Sequence, residues 1–379
     1  MADIGRPIIA NVERLNELMD RDGIAAIVVR SGQNFTYLSG IALPGTWGRF
    51  LDLTDAPRGV MLLWPRKGEP VIVQSQVNRG TQRMMVRESW VKRVEVYEAY
   101  AESACSRLCE VIRQAGLADE RVGFEKTYLS AANWEEIQRR LPNLQMVNCT
   151  GMLDAVRSVK TPAEIVLLKH AADLLDEVYL EVFSATRPGD TEREMHRQIV
   201  SGCIRRGADW VHGAWAYGVL NTSTDEDDVA FRIGDVIRSD YIAYLRGYPG
   251  HQSRNAVIGT PNDEQRREYR IYRDIYRKTI ERCMPGVRAG DIFEFVVDEF
   301  RKNGWEYKQV LVGHSVGAWW HQQEPILARG RTTVLEEGMV LAVEPITERW
   351  YLQDMVVVRE GGPEWLSDKF PTDEIFVIG

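Results

Sequence analysis

The chain has 379 residues, of which 44% are hydrophobic and 27% charged, and its formal net charge is −8. That length gives two domains of ordinary size, each able to bury a core, and the composition is that of a soluble globular protein. The acidic balance excludes a basic nucleic-acid-binding face, and no run approaches the ~18 apolar residues of a membrane span. Cys105, Cys109, Cys149, Cys203 and Cys283 are scattered, without CxxC or finger spacing, as reduced intracellular thiols are. The first residues lack the charged-then-apolar layout of a signal peptide, so a cytoplasmic location is expected, with neither nucleic acid nor membrane as partner.

Val12, Leu15, Leu18 and Met19 recur at helical spacing, and Gly23 stops that helix. Residues 24–29 then read as a short buried strand. Further strands are expected over residues 59–64, 71–74, 121–125 and 144–148, with helices over 101–114 and 131–141. Alternating strands and helices predict an α/β domain, placed at residues 1–154. A junction follows, where Thr161 is a helix N-cap, Pro162 opens the first turn and Glu164 follows. The helix beyond carries Ile165, Leu168, Leu175, Val178 and Val182 on one stripe, and Thr191 with Glu194 signals the next. His170 and His196 fall inside these helices and read as solvated or packing residues.

Residues 234–254 read as a β-hairpin: apolar and aromatic residues run from Val236 to Leu245, and Gly-Tyr-Pro-Gly follows. A turn centred between Leu245 and Arg246 sets Asp240 opposite His251, on one face. Such a pair is a metal corner, an acid–base pair or a surface contact. Residues 263–283 form a long charged helix with Tyr272, Ile275, Tyr276 and Ile280 inward. Asp291 and Glu294 cap another over 292–303, ended by Gly304. Strands return at 310–312, 339–343 and 355–359. Residues 155–379 are therefore expected to be an α+β domain with helices against a mostly antiparallel sheet.

Three further polar positions interrupt apolar strand-like segments. Gly313-His314-Ser315-Val316-Gly317 is followed by Trp319, Trp320 and His321. The run from Gly338 to Val343 ends on Glu344-Pro345, and Gln353-Asp354 opens Met355-Val356-Val357-Val358. In this order after Asp240 and His251, the sequence resembles the pita-bread family of methionine aminopeptidase, aminopeptidase P, prolidase and the non-peptidase creatinase. The resemblance covers nearly the whole chain. Residues 14–40, ending Phe35-Thr36-Tyr37-Leu38-Ser39-Gly40, look like the start of the creatinase/prolidase N-terminal domain, and residues 156–164 match its junction. The resemblance implies an α+β pita-bread catalytic domain preceded by a smaller α/β domain, and a homodimer.

The family's peptidases hold two metal ions with Asp, Asp, His, Glu and Glu. Carried over, the first Asp is Asp240, the second falls on His251, the His is His314, the next Glu is Glu344, and the last Glu falls on Gln353, with Asp354 after it. The interval between Glu344 and Gln353 is short for the family. The two changed positions are those of the bridging carboxylates, and a neutral imidazole and a neutral amide cannot bridge or neutralise two divalent cations. No cofactor is therefore favoured. A single divalent metal, zinc or manganese, on His251, His314, Glu344 and Asp240 is the alternative. Creatinase hydrolyses a small guanidino compound with side chains alone. Its acid–base His lies on the loop before the hairpin, here residues 218–226, which hold no His; His212 lies upstream. The expected activity is hydrolysis of a C–N bond (amide, amidine or related) in a small non-peptide substrate. Asp240, His251, His314 and Glu344 are the catalytic candidates, with the base either His251 polarised by Asp240 or His314 paired with Glu344. His321 (whose family counterpart contacts the substrate carbonyl), Gln353, Arg254, Trp319, Trp320 and His212 are the substrate-binding candidates. Residues 47–50 are a candidate segment lent to the other subunit. Three alternatives stay open: a metal-dependent Xaa-Pro dipeptidase or aminopeptidase, a lyase, and a non-catalytic pita-bread binding module.

Overall fold

Short apolar runs, rather than long periodic ones, build the first part of the molecule. The structure is a computed structural model that describes residues 8–41, 59–78, 89–217, 229–319, 321 and 324–379. It divides into two compact units, Met1–Arg157 and Ser158–Gly379. In the first, α1 (Val12–Asp22) is capped by the Asn11 side chain and ends on Gly23 at φ 63°. After it come β1 (Ala26–Arg30), α2 (Gln33–Ser39), β2 (Val60–Pro65), β3 (Val71–Ser75) and β4 (Arg93–Tyr97). The unit continues through α3 (Ala104–Gln114), β5 (Arg121–Phe124), α4 (Ala131–Arg140), β6 (Gln145–Asn148) and α5 (Thr150–Ser158). The sheet order is β4-β3-β2-β1-β5-β6. Its outer pairs run parallel, while β1–β2 and β2–β3 run antiparallel. β2 and β3 are buried along their whole length, and Leu108, Cys109, Ile112 and Ile137 from the helices close over Val28, Met61 and Val122. Three elements escape the sequence reading, α5 among them because it falls where a junction is expected. α2 is seven residues long, too short for a period to register, and β4 is only partly buried, so polar residues dilute its apolar signal. All five cysteines are buried thiols outside any disulfide.

The second unit opens with α6 (Pro162–Ala185), whose Thr161–Glu164 capping box satisfies orphan amides at its start, followed by α7 (Glu192–Arg205), capped by Thr191. β7 (Trp210–Tyr217), β8 (Val236–Leu245), β9 (Tyr248–Ile258) and the final β15 (Phe376–Ile378) form one sheet, ordered β15-β9-β8-β7. α6 lies directly on β9. A Cβ on Gly250 would sit 2.3 Å from the Ala171 carbonyl oxygen, so only glycine allows the approach. The second sheet, β11-β10-β12-β13-β14, comprises β10 (Leu311–Ser315), β11 (Ile326–Ala328), β12 (Val340–Val343), β13 (Asp354–Val357) and β14 (Glu364–Trp365). Between the sheets in sequence come α8 (Asp263–Glu281) and α9 (Ala289–Lys302). α9 starts three residues earlier than the Asp291–Glu294 signal indicates. Its first amides donate to the Thr333 and Arg331 carbonyls (2.9 and 3.0 Å), so a neighbouring segment replaces the side-chain cap. An isolated bridge, Ser253 with Gln353, ties β9 to the lead-in of β13. Among the described residues no helix is long and apolar enough to cross a membrane.

Candidate active site

Leu245 pairs with Tyr248, leaving Arg246-Gly247 as a two-residue loop with both residues at positive φ, 54° and 84°. That is the turn whose twist matches a hairpin. The turn thus lies one residue later than the sequence reading places it, and the register moves by two: Asp240 faces Ser253, and His251 faces Ile242. A shift of two keeps side chains on the same face. Asp240 and His251 therefore meet diagonally, His251 Nε2 lying 3.3 Å from Asp240 Oδ1.

The second sheet supplies the matching pair. His314 sits on β10 opposite Ala342 of β12, next to Gly313, whose missing Cβ would otherwise press 2.6 Å from the Ala342 oxygen. Glu344 lies one residue past β12, and its Oε1 is 3.5 Å from His314 Nε2. The Ser253–Gln353 bridge brings the sheets together, so the rings of His251 and His314 lie 5.3 Å apart, and His321 stacks on His314 at 4.2 Å and 23°. Gln353 is fully buried: its Oε1 accepts from Ser253 Oγ at 3.1 Å, and its Nε2 reaches His251 Nδ1 at 3.1 Å.

Sequence reasoning missed Tyr351. Its hydroxyl lies 2.6 Å from Glu344 Oε2, 3.2 Å from Gln353 Oε1 and 3.3 Å from Asp240 Oδ2. The available signal is its spacing of two from Gln353, which puts both side chains on one face of an extended segment.

Donors and acceptors fix both imidazoles. The Ser315 carbonyl oxygen, 3.1 Å from His314 Nδ1, can only accept, so Nδ1 carries the proton and Nε2 offers a lone pair toward Glu344. The Gln353 amide donates to His251 Nδ1, which leaves the His251 proton on Nε2, facing Asp240. Burial, helped by the His251 and His321 imidazoles, holds His314 well below its ordinary pKa and so neutral. Burial pushes the Glu344 carboxyl up to about 7, although the Tyr351 hydrogen bond favours its charged form. Burial and the two carboxylates raise the Tyr351 phenol, which stays a donor.

The substrate-binding candidates separate. Arg254 is wholly enclosed. It ion-pairs with Asp176 (2.6 Å) and Asp354 (2.7 Å) and donates to the Gln353 carbonyl at 2.8 Å, so its charge holds the scaffold, not a substrate. Asp354 also accepts from Ser367 at 2.7 Å and from Tyr276. Asp176 is detectable only as an acid within the apolar stripe of α6. His212 lies on strand β7 and not on a loop. It pairs with Ile242, which stands between it and His251, and its ring is 5.8 Å from Trp210. Trp319 is 37% exposed, with its ring 5.9 Å from Tyr244. Trp320, residues 47–50 and residues 218–226 lie outside the described residues.

The donor set does not fit a pair of metal ions. Two divalent cations carry four positive charges, against two carboxylates, a neutral imidazole pair and an amide. Among the described residues no three His, Cys, Asp or Glu side chains are grouped to hold a metal ion, and the Tyr351 hydroxyl occupies the point on which Asp240 and Glu344 converge.

The profile of metallopeptidase family M24 matches residues 166–361, and that of the creatinase/prolidase N-terminal domain matches residues 11–159. The chain belongs to family M24. It is 24% identical over 341 residues to an Xaa-Pro dipeptidase of Pyrococcus horikoshii, with 88% of each protein covered. It is 23% identical over 385 residues to a creatinase of a Bacillus species, covering 94% of this chain and 89% of that enzyme. The solved structure of an Xaa-Pro dipeptidase from Bacillus anthracis superposes with a TM-score of 0.79 at 21% identity, covering 97% and 99% of the two chains. Family M24 is a family of hydrolases, and the α+β pita-bread unit preceded by the smaller α/β unit is its fold.

Proposed function

We propose that this member of family M24 hydrolyses a C–N bond, of an amide, amidine or related group, in a small non-peptide substrate, using side-chain acid–base chemistry. The observation that carries this reading is the pair of buried imidazole–carboxylate couples, His314–Glu344 and His251–Asp240, facing one another across the junction of two sheets. His314 is the base. Its lone pair on Nε2 takes a proton from water, whose oxygen adds to the substrate carbon, and Glu344 stabilises the imidazolium that forms. The same imidazolium returns that proton to the leaving nitrogen as the C–N bond breaks. His251 presents its Nε2–H to the oxygen or nitrogen that gains charge, held in that tautomer by Gln353. His321, stacked on His314, is a second donor at the mouth of the site. The enzyme is taken to work as a cytoplasmic homodimer.

The test is a panel of small amides, amidines, cyclic imines and Xaa-Pro dipeptides, followed by release of ammonia or amine with and without EDTA. Chelator-resistant cleavage of a non-peptide, lost in His314→Ala, is the expected result. Chelator-sensitive cleavage of Xaa-Pro dipeptides, the activity named for several relatives, would replace this reading with a metallopeptidase.

A further inference from the structure

We infer that the Tyr351 hydroxyl stands in for a shared cation: it fills the point on which the site's oxygens converge and holds the two imidazole–carboxylate couples as one unit. Its three partners, Glu344, Gln353 and Asp240, come from the end of β12, the lead-in of β13 and β8, which belong to two different sheets. A divalent cation such as zinc sits about 2.0–2.2 Å from carboxylate oxygens. A phenol oxygen 2.6 Å from Glu344 Oε2 and 3.3 Å from Asp240 Oδ2 leaves no space for one between the two carboxylates.

The hydroxyl performs part of a cation's work without its charge. It offers a hydrogen to one carboxylate and keeps the other within reach, so the orientations of both are set together. A neutral bridging group also removes the need for four negative ligands, which agrees with the imidazole of His251 and the amide of Gln353 beside it. The chain around Tyr351 is built to hold the ring in this place. Ile346 bridges Tyr351 and closes the intervening residues into a tight loop. The Tyr351 amide donates to Asn255 Oδ1 at 2.8 Å, and the Arg238 guanidinium lies 6.0 Å from the ring centre. The loop that carries the tyrosine lies between Glu344 and Gln353, so both of its ends are anchored in the site.

The experiment titrates zinc, manganese and cobalt chlorides, one at a time, into chelator-treated and dialysed wild-type protein and Tyr351→Phe, followed by calorimetry. Wild type is expected to take up no stoichiometric metal. Tyr351→Phe is expected to take up one equivalent of zinc, because without the hydroxyl the two imidazoles and two carboxylates, which are not grouped around one point while it stands between them, can close on a single ion. Adding Glu344→Gln to that variant should abolish the uptake, which separates the site from surface ions. A Glu344-dependent equivalent of metal in wild type overturns the inference, and so does a folded Tyr351→Phe that takes up none. Should Tyr351→Phe not fold, Tyr351→Met carries the same titration. The inference concerns the same site as the proposed hydrolysis, but its readout needs no substrate. A failed substrate panel would leave both titrations as they are.

Discussion

Arg254 lies between Asp176 and Asp354 with no exposed surface, and its Nη1 also holds the main-chain oxygen of Gln353. Arg254→Met would leave two buried carboxylates without their cation. Breaking a buried ion pair in this way costs about 3–5 kcal/mol, to be read as a lowered urea midpoint. Arg254→Lys should also destabilise, since one ammonium cannot reproduce a planar fork that reaches two carboxylates and a carbonyl. A substrate-binding arginine would instead raise KM and leave the midpoint alone. His314→Ala should behave in the opposite way to Arg254→Met. With the proposed base gone, kcat should fall by about 10²–10⁴-fold, while the thermal midpoint shifts little beyond the loss of ring packing on His321. Asp240, His251, His314 and Glu344 can be found from sequence because each breaks an apolar strand-like run. The spacing of three between His251 and Arg254 sets their side chains on opposite faces of β9, and Arg254 misleads because its partner Asp176 lies 78 residues away in the chain. Tyr351 is overlooked because a tyrosine beside a strand is an ordinary core residue until its hydroxyl has somewhere to go.

At the scale of elements, the site depends on close approaches that glycine permits. Gly250→Ala would set a methyl group 2.3 Å from the Ala171 oxygen and force α6 away from β9, one residue from His251. Overpacking of this kind costs about 1–3 kcal/mol, and here it should lower both the urea midpoint and kcat, because the strand that moves carries His251, the imidazole proposed to act on the substrate. Gly247→Ala tests the turn. At φ 84° a side chain is strained by about 1–2 kcal/mol, so its midpoint should fall while kcat holds, provided the register survives. An unchanged midpoint in Gly247→Ala would show that the loop relaxes to another turn. The hairpin itself is legible from its alternation and its Gly-Tyr-Pro-Gly segment. Its register is not, since Arg246 at positive φ is an unusual first loop residue and the sequence offers no signal for it. A displacement by an even number of residues leaves the face unchanged and alters only the pairing. α9 shows a similar limit: its start is fixed by carbonyls of Thr333 and Arg331, residues that local capping patterns cannot see.

For the molecule as a whole, each unit buries a carboxyl that water would otherwise stabilise. Glu125, in the first, accepts from Asn34 Nδ2 at 2.5 Å and the Arg30 amide at 3.2 Å. Glu164, in the second, closes the α6 capping box and accepts from the Tyr248 hydroxyl at 3.2 Å. Burial outweighs these bonds and pushes both carboxyls up to about 7 from 4.5. The folded chain therefore binds more protons than the unfolded chain between those values, and the unfolding free energy falls as pH rises through that window. Below it both states are protonated and the penalty is absent; above it the penalty is complete and stability no longer changes with these groups. A shift of this size corresponds to about 3 kcal/mol per carboxyl. His314 acts with the opposite sign, because a lowered imidazole pKa makes the folded state bind fewer protons below its ordinary value of 6.5. Glu344, also pushed up to about 7, acts in the same direction as Glu125 and Glu164, so three carboxyls against one imidazole leave a net loss of stability from pH 5 to pH 8. Urea unfolding at those two pH values, in wild type and in Glu125→Gln with Glu164→Gln, checks the assignment. The wild-type midpoint should be lower at pH 8, and the double variant should lose most of that difference; an equally steep dependence in both would place its origin elsewhere.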